Sequence, residues 1–215
     1  LSPTFQILDA QDQFRIVKRL MKENGVDETK FPIKKVQWFI NQQKDEGILS
    51  HQIDAGYNYF VKQSAKIFDL YEKHCQANDL VDFAGLLVQS YELLKNNQSL
   101  LEHYQKKFRH ILVDEFQDTT IAQYEIAKLL SNQHRNICVV GDPDQSIYSW
   151  RNADIRNILS FQQDFPGTKL IKLEENYRST KNILDAAYKV ISTNTNRIER
   201  GLHTNNDLGT PIIIE

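Results

Sequence analysis

The chain has 215 residues, a formal net charge of −2 at pH 7, and 40% hydrophobic and 25% charged residues. These proportions are those of a globular protein with a buried core, and they exclude collagen-like and low-complexity classes. The longest hydrophobic run, Ile137-Cys138-Val139-Val140, is far shorter than the ~20 residues that a membrane helix needs. Two cysteines do not make a disulfide framework, and the net charge does not indicate nucleic-acid binding. Composition therefore predicts a soluble, cytoplasmic protein with no membrane partner.

Residues 1–107 show helical periodicity from about Leu8 onward. Asp9 is placed to cap a first helix, and Gly25 and Gly47 stand where left-handed residues end helices. Four apolar stripes follow at helical spacing, and their members include Val17, Leu20, Met21, Val36, Phe39, Ile40, Ile67, Phe68, Tyr71, Cys75, Phe83, Leu86, Leu87 and Leu94. We predict an all-α helical subdomain over residues 1–107.

From Phe108 onward, short apolar runs alternate with helical patterns. The predicted strands cover residues 111–113, 137–140, 170–173 and 212–214, and predicted helices lie between them. This alternation predicts a parallel α/β sheet, in which ligands bind at the carboxyl ends of the strands. Cys75 and Cys138 have no metal-ligand pattern around them, so we interpret both as core thiols.

The first predicted strand ends in two carboxylates, Asp114 and Glu115. This pattern is typical of a Walker B element, in which the first carboxylate holds Mg²⁺ and the second orients or activates an attacking water. An Asp-Glu pair alone is a weak signal, because most such pairs are solvated strand ends. The surrounding string is longer and more specific: Ile111-Leu112-Val113-Asp114-Glu115-Phe116-Gln117-Asp118-Thr119.

The second strand leads directly into Gly141-Asp142-Pro143-Asp144-Gln145-Ser146-Ile147-Tyr148-Ser149-Trp150-Arg151. One interpretation is a turn followed by two aromatic residues of the core. In the functional interpretation, Gln145 senses a phosphate, while Tyr148, Trp150 and Arg151 offer stacking faces and a positive charge to single-stranded bases.

A third string, Leu173-Glu174-Glu175-Asn176-Tyr177-Arg178-Ser179-Thr180, completes a set of three in chain order. Together they resemble motifs II, III and IV of the UvrD/PcrA/Rep group of superfamily 1 DNA helicases. The helical half resembles the same group in Phe5-Gln6-Ile7-Leu8-Asp9, Gln42-Gln43-Lys44-Asp45-Glu46-Gly47 and Leu80-Val81-Asp82-Phe83. The resemblance extends over essentially the whole chain and is nearest to the UvrD branch of the group.

This resemblance implies a role for each matching position. Asp114 would coordinate Mg²⁺, Glu115 would be the catalytic carboxylate, and Gln145 would contact the γ-phosphate of ATP and couple it to DNA. Tyr177 would stack on adenine, and Arg178 would reach the γ-phosphate from the second motor domain. Contacts with the single strand would come from Tyr148, Trp150 and Arg151.

Three positions differ from the residues most usual in the group. Pro143 replaces an acidic or small residue, Asn152 replaces glycine, and Glu175 replaces glutamine. None of the three removes a proposed catalytic group. Asn152 lies in the turn that presents Trp150, so that turn must accommodate a side chain.

No glycine of the chain is followed by lysine, so the G-x-x-x-x-G-K-[ST] loop of Walker A is absent. The resemblance therefore implies an internal fragment of a helicase, with a helical insertion subdomain at residues 1–107. Residues 108–174 would be the second half of the first RecA-like motor domain, and residues 175–215 would begin the second. The predicted fold class is α/β: a partial RecA-like P-loop NTPase domain preceded by the all-α insertion. Alone, such a fragment is expected to be inactive, and an unpaired sheet edge favours self-association.

The implied function is that of an ATP-dependent 3′→5′ DNA helicase or translocase in DNA repair or replication. ATP and Mg²⁺ would be its cofactors, and single-stranded DNA and junctions of single and double strands its partners. A metal-dependent nuclease is a first alternative, with two metal ions held by Asp114, Glu115, Asp142 and Asp144. The isolated fragment could also be a non-catalytic fold or partner-binding module, or part of a helicase–nuclease subunit.

Overall fold

The computed structural model describes residues 2–194, 197–198 and 200–213. The described residues up to 107 form five α-helices and two short strands. In chain order these are β1 (Gln6–Leu8), α1 (Ala10–Glu23), α2 (Ile33–Asp45), α3 (Tyr59–Ala77), β2 (Leu80–Asp82), α4 (Phe83–Asn96) and α5 (Gln98–Lys107). The helices confirm the predicted helical character of this half.

The two strands show that the prediction of an all-α subdomain is wrong. They pair in parallel, with Gln6 opposite Leu80 and Leu8 opposite Asp82. Leu8 and Val81 are buried, so the strand pair takes part in the core beside the helices. Each strand has only three residues. A segment this short gives no alternating pattern that stands out from the helical periodicity on both sides.

The core of the helical half lies between α1, α2 and α3. Most of the predicted stripe residues are buried there. In α4, Phe83 is exposed, and the buried apolar side chains are those of Val88 and Leu94. The predicted helix ends are also confirmed. Asp9 accepts hydrogen bonds from the backbone N–H groups of Gln11 and Asp12, while Gly25 and Gly47 have φ angles of 64° and 78°.

A buried polar cluster around Asp82 joins α1, α2, α3 and α4. Its carboxylate accepts hydrogen bonds from Lys44 Nζ (2.7 Å), the Tyr71 hydroxyl (2.7 Å), Gln13 Nε2 (3.0 Å) and the Gly85 N–H (2.6 Å). Burial acts to raise the pKa of Asp82, but Lys44 and the hydrogen bonds outweigh it and hold this pKa below its usual value. The carboxylate is therefore stable as a buried anion only while these partners are present.

We predict that Lys44→Met destabilises the chain by about 3–5 kcal/mol, because the buried Asp82 carboxylate loses its counter-ion. Both side chains are only 6% exposed. Urea unfolding followed by circular dichroism measures the change. Lys73→Met is the matched control, since Lys73 pairs with Asp69 on an exposed helix face and its loss should cost about 1 kcal/mol or less. Equal effects of the two substitutions would contradict the prediction.

The second half alternates strands and helices, as predicted. Its elements are β3 (Ile111–Val113), α6 (Ile121–Ser131), β4 (Ile137–Val139), α7 (Arg156–Asp164) and α8 (Lys181–Ile191). The two strands pair in parallel, with Ile111 opposite Ile137. They pack on an aromatic cluster made by Phe116, Tyr124, Phe161 and Phe165. None of the helices in the described part of the chain is both long and apolar enough to cross a membrane.

Two of the predicted strands are not formed. Residues 170–173 lie outside any strand, and Leu170, Ile171 and Leu173 are exposed. Ile212 and Ile213 are likewise not in a strand, and Ile214 lies outside the described residues. An apolar run becomes a strand only where a neighbouring backbone satisfies its N–H and C=O groups, and the described residues place no such ladder beside these runs.

The two cysteines have different environments. Cys75 is buried in the helical core, where burial raises the pKa of its thiol, so its interpretation as a core thiol is confirmed. Cys138 is exposed, so the same interpretation is wrong there. Ile137 and Val139 pack against the aromatic cluster, and alternation along the strand directs Cys138 to the opposite face.

Candidate functional site

Two strand ends lie side by side where β3 and β4 stop. The pairing continues past both strands, because the Val140 N–H donates to the Val113 carbonyl (2.8 Å) and the Phe116 N–H donates to the Val140 carbonyl (2.9 Å). The first strand leads into Asp114 and the second into Gly141. Motifs II and III are therefore neighbours at the carboxyl edge of the strands, which is where parallel sheets bind ligands.

The two carboxylates that follow β3 are both exposed. Asp114 Oδ1 accepts a hydrogen bond from the Glu115 N–H (2.9 Å). Glu115 has a φ of 49°, a left-handed conformation that residues other than glycine rarely adopt. Such backbone strain persists only where the surrounding structure imposes it, and it clusters at functional sites. The strain therefore favours Glu115 as a residue of the site.

Gln117, for which the sequence pattern predicted no role, is a buried polar residue of this region, and only 1% of its surface is exposed. Its Nε2 donates to Glu115 Oε2 (2.8 Å), and its Oε1 accepts the Asp142 N–H (2.9 Å). Asp142 Oδ2 in turn accepts a hydrogen bond from Gln145 Nε2 (2.6 Å). A continuous series of hydrogen bonds thus joins Glu115 to Gln145. The sequence signal that could have identified Gln117 is its amide side chain, which directly follows the apolar Phe116 inside motif II.

The aromatic residues of motif III form a surface cluster with Arg151. The ring centroids of Tyr148 and Trp150 are 6.1 Å apart, and the Arg151 Cζ lies 5.7 Å and 5.6 Å from them. Trp150 is 69% exposed, so its interpretation as a core residue is wrong. Exposed rings beside a guanidinium provide faces on which nucleic-acid bases can stack.

The turn behind this cluster is explained by Asn152. Its φ is 62°, and asparagine is among the residues that best tolerate this left-handed conformation. Its Nδ2 also donates to Asp45 Oδ2 at the end of α2 (2.8 Å). Burial raises the pKa of this Asp45 carboxyl. Asparagine therefore preserves the turn and adds a contact with the helical half. Pro143 likewise fits its position, the first of a short 3₁₀ turn, where no N–H is needed.

The third string presents two exposed side chains, Tyr177 and Arg178. The Tyr177 hydroxyl donates to Glu175 Oε2 (2.6 Å), and this hydrogen bond holds the pKa of Glu175 below its usual value. The Arg178 N–H donates to Asn176 Oδ1 (3.0 Å). In the part of the chain that the structure describes, the hydrogen bonds of Tyr177 and Arg178 stay within the C-terminal segment. The structure does not bring these two residues into contact with motifs II and III.

Two family models match consecutive parts of this chain. The family model of the UvrD/REP helicase N-terminal domain matches residues 1–166, which include motifs II and III. The chain belongs to the UvrD/REP helicase family. A second model, that of the UvrD-like helicase C-terminal domain, matches residues 171–215, which include Tyr177 and Arg178.

Proteins named as DNA helicases or helicase homologs in several bacteria match nearly the whole chain. DNA helicase II of Escherichia coli (strain K12) is 45% identical over 212 residues, which are 99% of this chain and 29% of that protein. The ATP-dependent DNA helicase PcrA of Staphylococcus epidermidis is 43% identical, over 97% of this chain and 29% of the relative. A probable DNA helicase II homolog of Rickettsia felis is 41% identical, over 100% of this chain and 33% of the relative. The chain thus spans about a third or less of the length of these relatives.

Two arginines of the UvrD-like C-terminal segment reach the motif III turn. Arg197 Nη2 lies 3.0 Å from Asp144 Oδ2, and Arg200 pairs with both Asp142 and Asp144. No local pattern predicts this contact, because the paired residues are 53 and 58 positions apart along the chain. These ion pairs occupy carboxylates that the nuclease alternative requires as metal ligands. In the described ranges, no group of three or more His, Cys, Asp or Glu side chains is arranged to hold a metal ion.

Proposed function

We propose that the chain belongs to an ATP-dependent 3′→5′ DNA helicase and translocase, in which it links ATP hydrolysis to movement on single-stranded DNA and to duplex unwinding. The observation that carries this proposal is the series of hydrogen bonds from Glu115 through Gln117 and Asp142 to Gln145. At one end of the series lie the carboxylates proposed to hold Mg²⁺ and to accept a proton from the attacking water. The other leads, within one short stretch of chain, into the exposed aromatic cluster at Trp150. The relatives, which are named as DNA helicases, support the same activity.

Asp114 is the residue proposed to hold Mg²⁺. Its carboxylate is exposed at the end of β3, and the hydrogen bond from the Glu115 N–H engages Oδ1, so Oδ2 can bind a hydrated cation. Such a site fits Mg²⁺, which binds one or two carboxylates together with waters and substrate phosphates. When bound, the ion neutralises charge on the β- and γ-phosphates.

Each of the other candidate side chains would have a separate role in ATP binding or hydrolysis. Glu115 would accept a proton from the attacking water, with its carboxylate oriented by Gln117. Gln145 would exchange its hydrogen bond to Asp142 for one to the γ-phosphate. Tyr177 would stack on adenine, and Arg178 would place its charge on the γ-phosphate when the second motor domain closes on the first.

The other motifs needed for ATP hydrolysis would lie in a longer protein. The phosphates need a Walker A loop, and none of these 215 residues forms that motif. We propose residues 1–107 as the insertion subdomain, 108–174 as half of the first motor domain and 175–215 as the start of the second. The isolated chain would then be inactive. The complete protein would act in the cytoplasm on single-stranded DNA and strand junctions during repair or replication.

We expect Trp150→Ala in the complete protein to weaken single-strand binding by about 5- to 150-fold, because stacking on a base contributes roughly 1–3 kcal/mol. Unwinding should fall with it, while the melting temperature should change little because the ring is already exposed. Fluorescence anisotropy with a labelled oligonucleotide measures the affinity.

Trp38→Ala provides the matched control, since Trp38 is also an exposed indole but lies on α2. It should leave the affinity for the single strand unchanged. The proposed DNA site is wrong if Trp150→Ala binds single strands normally, or if both substitutions weaken binding equally.

A further inference from the structure

We infer that Gln117 is a positioning residue that holds Glu115 and the turn carrying Gln145 as one rigid unit. The inference rests on the proposed function and adds a residue to it. Gln117 would touch neither nucleotide nor DNA. It would act through the two residues proposed to touch the γ-phosphate and the attacking water.

Both ends of the Gln117 amide are in use. Its Nε2 donates to Glu115 Oε2 (2.8 Å) and, more weakly, to Asp118 Oδ2 (3.2 Å), while Oε1 accepts the Asp142 N–H (2.9 Å). Glutamine donates and accepts at these two positions without carrying a charge at any pH. Because the side chain is buried, water does not replace either bond when it is lost.

The Gln117 amide fits against the second strand end because the residue there, Gly141, has no side chain. A Cβ on Gly141 would lie 2.6 Å from Gln117 Oε1 and 3.1 Å from the Phe116 backbone nitrogen. Any larger residue at position 141 would therefore push the amide away from the Asp142 N–H. The glycine gives the second strand end room for the side chain that arrives from the first.

Glu115, which Gln117 contacts directly, and Gln145, which it reaches through Asp142, are otherwise weakly held. Glu115 has an exposed side chain on a strained left-handed backbone, and Gln145 is exposed at the end of a short 3₁₀ turn. Asp142, which fixes Gln145 and accepts the Arg200 ion pair, is joined to motif II by its N–H bond to Gln117. A shift of the motif III turn would therefore move the Glu115 carboxylate through Gln117.

Gln117→Leu in the complete protein tests this role. We expect kcat for DNA-stimulated ATP hydrolysis to fall by about 10- to 100-fold, as for outer-shell partners and misplaced catalytic groups elsewhere. KM for ATP and the affinity for a fluorescent nucleotide should stay within about twofold, and the stimulation by single-stranded DNA should shrink. Gln105→Leu is the matched control, because Gln105 is also buried but donates to the Leu129 carbonyl between α5 and α6. It should lower the melting temperature without lowering kcat.

Gln117→Glu separates positioning from packing, because it keeps the shape and the acceptor but loses the donor. The new carboxyl would face Glu115 and Asp118, with Asp142 and its Arg200 partner beyond, and the two nearest carboxylates would raise its pKa. Below that pKa the new side chain is protonated and donates to Glu115 again. The activity of Gln117→Glu relative to the unsubstituted protein should therefore rise as the pH falls from about 8 to about 6.

The outcomes are distinguishable. Normal kcat in Gln117→Leu, or a flat relative pH profile in Gln117→Glu, overturns the role of Gln117 while leaving the helicase proposal in place. Equal losses of kcat in Gln117→Leu and Gln105→Leu show a purely structural role and also overturn it. Failure of the unsubstituted complete protein to hydrolyse ATP in the presence of DNA overturns the proposed function itself.

Discussion

Arg178→Ala in the complete protein should slow ATP hydrolysis by about 10³–10⁵-fold, the range found when arginine fingers are removed in other phosphoryl-transfer systems. Arg178 is exposed, so its loss leaves no cavity. Its N–H bond to Asn176 is made by the backbone and survives the substitution. Single-turnover hydrolysis measured by quenched flow gives the rate of the chemical step.

Two further variants sharpen this test. Arg178→Lys keeps the charge but lacks the planar fork of donors, so it should recover only part of the rate. Arg156→Ala is the control and should hydrolyse ATP normally, since Arg156 is an exposed arginine at the start of α7 that pairs with Asp154. If Arg178→Ala retains its ATPase activity while DNA affinity collapses, Arg178 is a DNA contact and the assignment is wrong.

Glu115→Gln should reduce turnover by about 10²–10⁴-fold while nucleotide binding is retained, because the substitution removes a general base without changing its size. The carbonyl oxygen of the new amide can still accept the hydrogen bond from Gln117 Nε2, so the buried series is preserved. The strained backbone is as acceptable to glutamine as to glutamate. Steady-state ATPase kinetics with single-stranded DNA, together with titration of a fluorescent nucleotide, separate the two effects.

Glu125→Gln is the matched control, since Glu125 lies on α6 and pairs with Lys128 away from the strand ends. It should leave both turnover and nucleotide affinity unchanged. Retention of most of the DNA-stimulated activity by Glu115→Gln would exclude Glu115 as the base. Loss of nucleotide affinity along with activity would instead assign Glu115 a binding role.

Much of the fold and of the candidate site was predictable because the signals are local. A helix cap needs only Asp9 and the N–H groups next to it, and a left-handed glycine ends its own helix. Motifs II and III consist of a short apolar strand followed at once by polar residues, so the sequence places Asp114, Glu115 and Gln145 at strand ends without knowledge of the rest of the chain. Their position at one edge follows from the parallel pairing of β3 and β4.

Predictions failed where burial or pairing depends on distant residues. The run at 170–173 has the composition of a strand, but a strand also needs a neighbouring ladder, which composition does not supply. Cys138 lies in an apolar run, but whether its side chain is buried depends on which side of β3 and β4 the aromatic cluster covers. A tryptophan such as Trp150 occurs both in cores and at binding surfaces, and only the folded chain shows that this side chain is exposed.

The sequence by itself determined the family and the helix ends, and it picked out the carboxylates and aromatic residues of the candidate site, since each is encoded in a few consecutive residues. Only the tertiary structure decided that β1 pairs with β2, that Asn152 bonds to Asp45, and that Arg197 and Arg200 reach motif III. It also decided that Gln117 spans two strand ends. These contacts join groups far apart in the chain, where many partners are chemically equivalent, and the packing of the core selects among them.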